Sequence, residues 1–114
     1  MSAPRLATSV LAGALIRLAE GQGGFGVVLA KGDATAGTIL VILMEKGAGP
    51  RLYERLLDPD GTYAWQAVRG QDIEKEEEVP RLIAQRRRFD PDLWVIELDI
   101  PSRERFAAEM NALR

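Results

Sequence analysis

The chain has 114 residues, 46% hydrophobic and 28% charged, with a net charge of −2 at pH 7 and an isoelectric point near 5.2. That length fits one domain able to bury a core, and the acidic balance offers no global basic field for nucleic acid or an anionic membrane. With neither cysteine nor histidine, disulfides, thiolate metal sites, a Cys nucleophile and a histidine base are excluded, and any metal would need oxygen ligands.

Residues 6–19 are apolar apart from Thr8, Ser9 and Arg17. The stretch is shorter than the roughly 20 residues of a membrane span, and Arg17 interrupts it before a signal peptide could be cut. A buried helix is expected instead, in a cytoplasmic protein, with Ser9 as N-cap and a run from residue 10 to about residue 20. Leu11, Ala14, Leu15 and Leu18 form one stripe at helical spacing. Val10, Ala12, Ile16 and Ala19 leave little polar surface elsewhere. A helix apolar nearly all round is buried on more than one side. In so small a domain this points to a second copy, so a homodimer is expected.

Gly21-Gln22-Gly23-Gly24 stops the helix, and a strand over residues 25–31 follows. Lys31-Gly32-Asp33 and Ala36-Gly37 carry turn chemistry. Residues 38–44 are almost continuously apolar and β-branched, the mark of a central strand covered on both faces. After the breaker cluster 46–50, residues 51–58 form a strand in which Leu52 and Leu56 share a face. Asp58-Pro59-Asp60-Gly61 spells a type I turn. In the strand 63–69, Tyr63, Trp65 and Ala67 face one way. Four strands joined by short turns predict an antiparallel meander.

An acidic linker, residues 71–78, precedes a second helix that starts near Glu77 or Glu78, carries Pro80 in its first turn and ends near Phe89. Residues 93–100 form the fifth strand, with Trp94, Ile96, Leu98 and Ile100 on one face. Pro101-Ser102 opens a last helix whose narrow stripe, Phe106, Met110 and Leu113, predicts a surface position and a frayed end. The fold class is α+β: one domain, 1–114, with a five-stranded, mainly antiparallel sheet and the element order α-β-β-β-β-α-β-α. The first helix should cover one face, and the other two helices or another subunit the rest.

Charge is densest around the second helix. Glu74, Glu76, Glu77 and Glu78 stand before or at its start, and Arg86, Arg87 and Arg88 in its last turn. This arrangement complements the helix dipole, at about 0.3–1 kcal/mol per exposed group. At about 100° per residue, Arg86 falls inside the stripe made by Val79, Leu82, Ile83 and Phe89, while Arg88 points away. A guanidinium on a core-facing stripe needs a carboxylate or a route to solvent. Asp90, Asp92 and Glu97 are the nearest acids along the chain, so a pair tying the helix end to the fifth strand is expected. Pro91 ends the helix, and Asp90 and Asp92 can satisfy turn donors; the same two carboxylates could hold Mg²⁺ or divide acid and base roles. The glycines of residues 21–26 lie between a helix and a strand, the wrong context for a phosphate loop. Trp65 and Trp94 read as core or interface anchors.

Ala14-Leu15-Ile16-Arg17, Lys31-Gly32-Asp33 with Ala36-Gly37, and the run from Arg86-Arg87-Arg88-Phe89-Asp90-Pro91-Asp92 through Leu93-Trp94-Val95-Ile96-Glu97 resemble a bacterial family of unknown function, domain of unknown function 1491. The resemblance spans roughly residues 5–100. It implies a single-domain cytoplasmic bacterial protein and transfers no activity, cofactor or site.

Three function classes follow. The first is a non-enzymatic binding or regulatory module acting through a protein partner, with Arg86, Arg87, Asp90, Asp92, Trp94 and Glu97 as binding residues and neither metal nor cofactor. The second is an enzyme or ligand-binding protein using Arg86, Asp90, Asp92 and Glu97, which would have to converge in a pocket. The third is weak nucleic-acid binding through Arg81, Arg87 and Arg88, an arginine set small for such a footprint on an acidic chain.

Overall fold

The computed structural model describes residues 7–57, 59–68 and 76–113. Residues 71–75 of the acidic linker, including Glu74, the turn position Asp58 and the strand end Arg69 lie outside them. In chain order the elements are α1 (Thr8–Gly21), β1 (Phe25–Ala30), β2 (Ile39–Glu45), β3 (Ala48–Leu57), β4 (Tyr63–Ala67), α2 (Val79–Phe89), β5 (Trp94–Ile100) and α3 (Arg103–Met110). Short 3₁₀ turns, Glu76–Glu78 and Asn111–Leu113, precede α2 and follow α3. The expected α+β class and element order hold.

The strand order is β1-β5-β2-β3-β4. Only β2, β3 and β4 form the expected meander. β5 slides between β1 and β2, antiparallel to the first and parallel to the second. The reason is composition. β5 buries Trp94, Ile96, Leu98 and Ile100 on one face and Val95 on the other. A strand apolar on both sides gains most from an interior position. β1, short and interrupted by Gly26, is left at the edge.

β2 is the central strand, and its residues 39–44 are all buried. Ile39, Val41 and Leu43 pack with Leu11 and Leu15 of α1 and with Phe106 and Met110 of α3. Leu40 and Ile42 join Leu52 and Val95 on the other face, where Val79, Leu82 and Ile83 of α2 rest. Two helices therefore cover one face and α2 alone the other, and no residue of α2 is fully buried.

Three expectations about helices need correction. α1 has no side-chain cap from Ser9. Loop carbonyls take that role, Thr35 O accepting from Thr8 N at 3.2 Å and Ala34 O from Ser9 N at 2.9 Å. Nor is α1 enclosed all round. Thr8, Leu11, Ala12, Leu15 and Ala19 are buried, whereas Val10, Arg17 and Glu20 are exposed. The chain's own sheet covers the stripe of Leu11, Leu15 and Ala19. Finally, α3 is not a loosely held surface helix. Phe106 and Met110 are fully buried. The Asn111 side chain anchors its end, accepting from Trp65 N at 2.8 Å and donating to Ala107 O at 3.3 Å.

Candidate functional site

The last turn of α2 places Arg86 over the sheet, half-buried as its position in the apolar stripe requires. Its ion-pair partner among the described residues is Glu54 of β3. Where the sequence points to Asp90, Asp92 or Glu97 for that role, the pair with Glu54 ties the helix end to β3. The pair is well shielded, at 27% side-chain exposure for Arg86 and 16% for Glu54. Sequence reasoning missed Glu54, yet a signal existed: alternation sets it between Leu52 and Leu56, an acid on an apolar strand face. Phe89, assigned to the same helical stripe, is 82% exposed. It is the last residue of α2, where the chain leaves the helix for Asp90.

The neighbouring residues build a turn. Asp90 leaves helical geometry at φ −137°, ψ 87°, and its carboxylate accepts from Asp92 N at 3.2 Å. Asp92 is exposed, and its carbonyl accepts from Asp33 N at 3.1 Å. Gly32 is needed there because a Cβ would stand 1.9 Å from the Asp92 carbonyl oxygen. Arg87 donates to Lys31 O at 3.1 Å. Trp94 is buried on the α1 face, its indole N–H donating to Asp33 O at 2.7 Å. The turn thus docks the 31–37 loop onto the start of β5. Among the described residues no group of three or more acids is placed to share a cation. Arg81 and Arg88 are exposed while Arg87 is turned toward the Lys31 carbonyl, so the three do not act as one patch.

Glu97 lies elsewhere. The register sets it opposite Val27 of β1 and Ile42 of β2, on the face that α2 only partly covers. An open groove of about 430 Å³ runs there between the sheet and α2. Leu29, Ile42 and Met44 form its floor, Val79, Pro80 and Ile83 its α2 wall, and Glu97 is the charged residue lining it. Among the described residues the Glu97 side chain has neither a hydrogen bond nor an ion pair. The apolar surface continues along the edge strand, where Phe25, Val27 and Leu29 are 60%, 49% and 41% exposed. β1 could not be recognised as an edge strand before β5 was known to insert beside it.

The family model for proteins of unknown function, DUF1491, matches residues 6–108. None of the curated proteins compared with the chain matches it. Among solved structures, the chain is similar to a DUF1491 family protein from Caulobacter crescentus CB15, at 32% identity and a TM-score of 0.77, covering 89% of this chain and 94% of that one. A solution structure of protein Atu0922 from A. tumefaciens matches at 28% identity and a TM-score of 0.74, covering 91% and 93%. An NMR structure of a DUF1491 family protein from Caulobacter crescentus CB15 matches at 31% identity and 0.75, covering 92% and 94%. Among the described residues no helix is long and apolar enough to cross a membrane.

Proposed function

The chain belongs to the DUF1491 family of proteins of unknown function, and we propose that it is a non-enzymatic cytoplasmic docking module that takes an extended, basic segment of a partner protein. The observation that carries this reading is the unbroken apolar surface from Phe25 and Val27 into the groove, with Glu97 inside it. β1 has no charged residue and no proline over Phe25–Ala30, although edge strands are commonly guarded by such residues. An added strand would use the open backbone of β1 for hydrogen bonds, with alternate side chains entering the groove. Charge selects the occupant. Glu97 lines the groove, and Glu77 and Glu78 are exposed just before Val79. A lysine or arginine flanked by apolar residues complements this arrangement.

The test is selection of random peptides on the intact protein, followed by binding measurements on the enriched sequences. Enrichment of alternating apolar residues around a lysine or arginine, with binding lost in Val27→Lys, supports the reading. Enriched peptides without a cation, or peptides indifferent to Val27→Lys, overturn it. Light scattering separates the other occupant. A dimer at micromolar concentration that Val27→Lys converts to a monomer would give this edge to a second copy and displace the partner segment.

A further inference from the structure

The three helices are held to the sheet in unequal ways. α1 buries Leu11, Leu15 and Ala19, and α3 buries Phe106 and Met110. No residue of α2 is fully buried. Val79, Leu82 and Ile83 pack on the core of its face, and each is only partly covered. Elements with few buried apolar contacts open locally at a lower free energy than the whole fold. The 11 residues of α2 also make a helix too short to be stable away from the sheet.

The polar ties of α2 gather at its C-terminal end. Arg86 pairs with Glu54, Arg87 donates to Lys31 O at 3.1 Å, and Asp90 N donates to Arg86 O at 3.0 Å. The Asp90 carboxylate then closes the following turn by accepting from Asp92 N. The first turn has nothing comparable. Its N-cap residue, Glu78, makes no side-chain capping bond. Among the described residues the side chains of Glu77, Glu78 and Arg81 make neither a hydrogen bond nor an ion pair. This end rests on the sheet through Val79 and Ile83, beside the open groove that these two and Pro80 wall. We propose that α2 is a hinged wall of the groove: its last turn is the fixed end, and its first turn swings away from the sheet to admit an occupant. Val79 stands about 10 Å along the helix from Arg86, so a tilt of roughly 20° carries it about 3–4 Å outward. That movement uncovers more of the floor at Ile42 and Met44. Its use rests on the docking reading given above; the movement itself needs no partner.

The chain has no cysteine, so a single introduced thiol reports on one place. Three buried positions serve. Leu52 belongs to the core on which Val79 and Ile83 pack, Leu40 lies on the same face and pairs across β2 and β3 with Glu54 at the fixed end, and Leu43 lies under α1 and α3. Leu52→Cys, Leu40→Cys and Leu43→Cys are alkylated with iodoacetamide in the absence of any peptide, and each rate is scaled by the variant's own unfolding equilibrium from denaturant titration. Leu52→Cys is expected to react about tenfold faster, or more, than either of the others, as sub-global opening of one end predicts. Adding Arg86→Met releases the fixed end and should raise labelling of Leu40→Cys at least about tenfold more than that of Leu43→Cys. Leu52→Cys reacting no faster than Leu40→Cys, or all three reacting at the rate global unfolding allows, overturns the hinge. Should a cysteine variant fail to fold, methyl relaxation dispersion on the wild type decides: exchange at Val79 and Ile83 with Leu11 and Leu15 flat supports the hinge, and flat profiles at all four overturn it. Because no peptide is present, a failure of the docking reading leaves these rates unchanged, and a rigid α2 leaves docking to a fixed groove intact.

Discussion

Glu54 stands between Leu52 and Leu56, and its carboxylate pairs with a guanidinium carried by a helix that packs only lightly on the sheet. Removing one member of such a shielded pair leaves the other desolvated and uncompensated. Arg86→Met and Arg86→Ala are each expected to cost about 1–3 kcal/mol in denaturant unfolding. The double variant Arg86→Met/Glu54→Leu should recover much of the loss, and a double-mutant cycle reads the coupling directly. If neither single variant shifts the melting temperature, Arg86 merely reaches solvent. The inward turn of Arg86 was legible from helical spacing; its partner was not, because residues 54 and 86 meet only once the sheet is assembled. A second residue-scale outcome concerns the β2–β3 turn, where Lys46 has φ 50° and Gly47 φ 79°. Two positive φ values in a two-residue hairpin favour Asn-Gly. Lys46→Asn should stabilise the protein by about 0.5–1 kcal/mol in thermal unfolding, since asparagine tolerates this region better than lysine.

At the scale of elements, the periodicities were readable and the insertion of β5 was not. Helix and strand lengths follow from local spacing, whereas strand order depends on which faces remain apolar after the neighbours are placed. Gly24 illustrates the gap. In sequence it belongs to a glycine-rich connector; in the fold it lets the backbone pass against β5, where a Cβ would lie 2.0 Å from Asp99 O. Gly24→Ala is therefore expected to cost about 1–3 kcal/mol or more, as overpacking against backbone does. Gly21, three residues earlier at the end of α1, has nothing within 4 Å of its Cβ position. Gly21→Ala should be neutral or stabilising by up to about 1 kcal/mol. Equal stability of the two variants would show that the α1–β1 connection does not hug β5. The same neighbour effect explains α3. Its stripe looks narrow in sequence, yet Phe106 and Met110 lie fully buried in the core of the α1 face.

For the whole molecule, the asymmetry of cover matters most. α1 and α3 seal one face, α2 alone shields the other, and the edge strand β1 is left with three large apolar side chains in solvent. The candidate residues Arg86, Arg87, Asp90, Asp92 and Trp94 divide between a helix tether and a loop-docking turn, and Glu97 alone among them enters the groove. Patches of this kind beside an open sheet edge mark interaction surfaces, and a buried or half-buried charge within them selects the partner more than it adds affinity. The most direct measurement is a charge swap across the groove. A selected basic peptide is titrated against the wild type and Glu97→Lys, and the same peptide with its cation changed to glutamate is titrated against both. The expected result is at least a tenfold loss for the basic peptide on Glu97→Lys, with affinity recovered when the acidic peptide meets Glu97→Lys. Equal affinity of the basic peptide for both proteins would contradict docking at this groove.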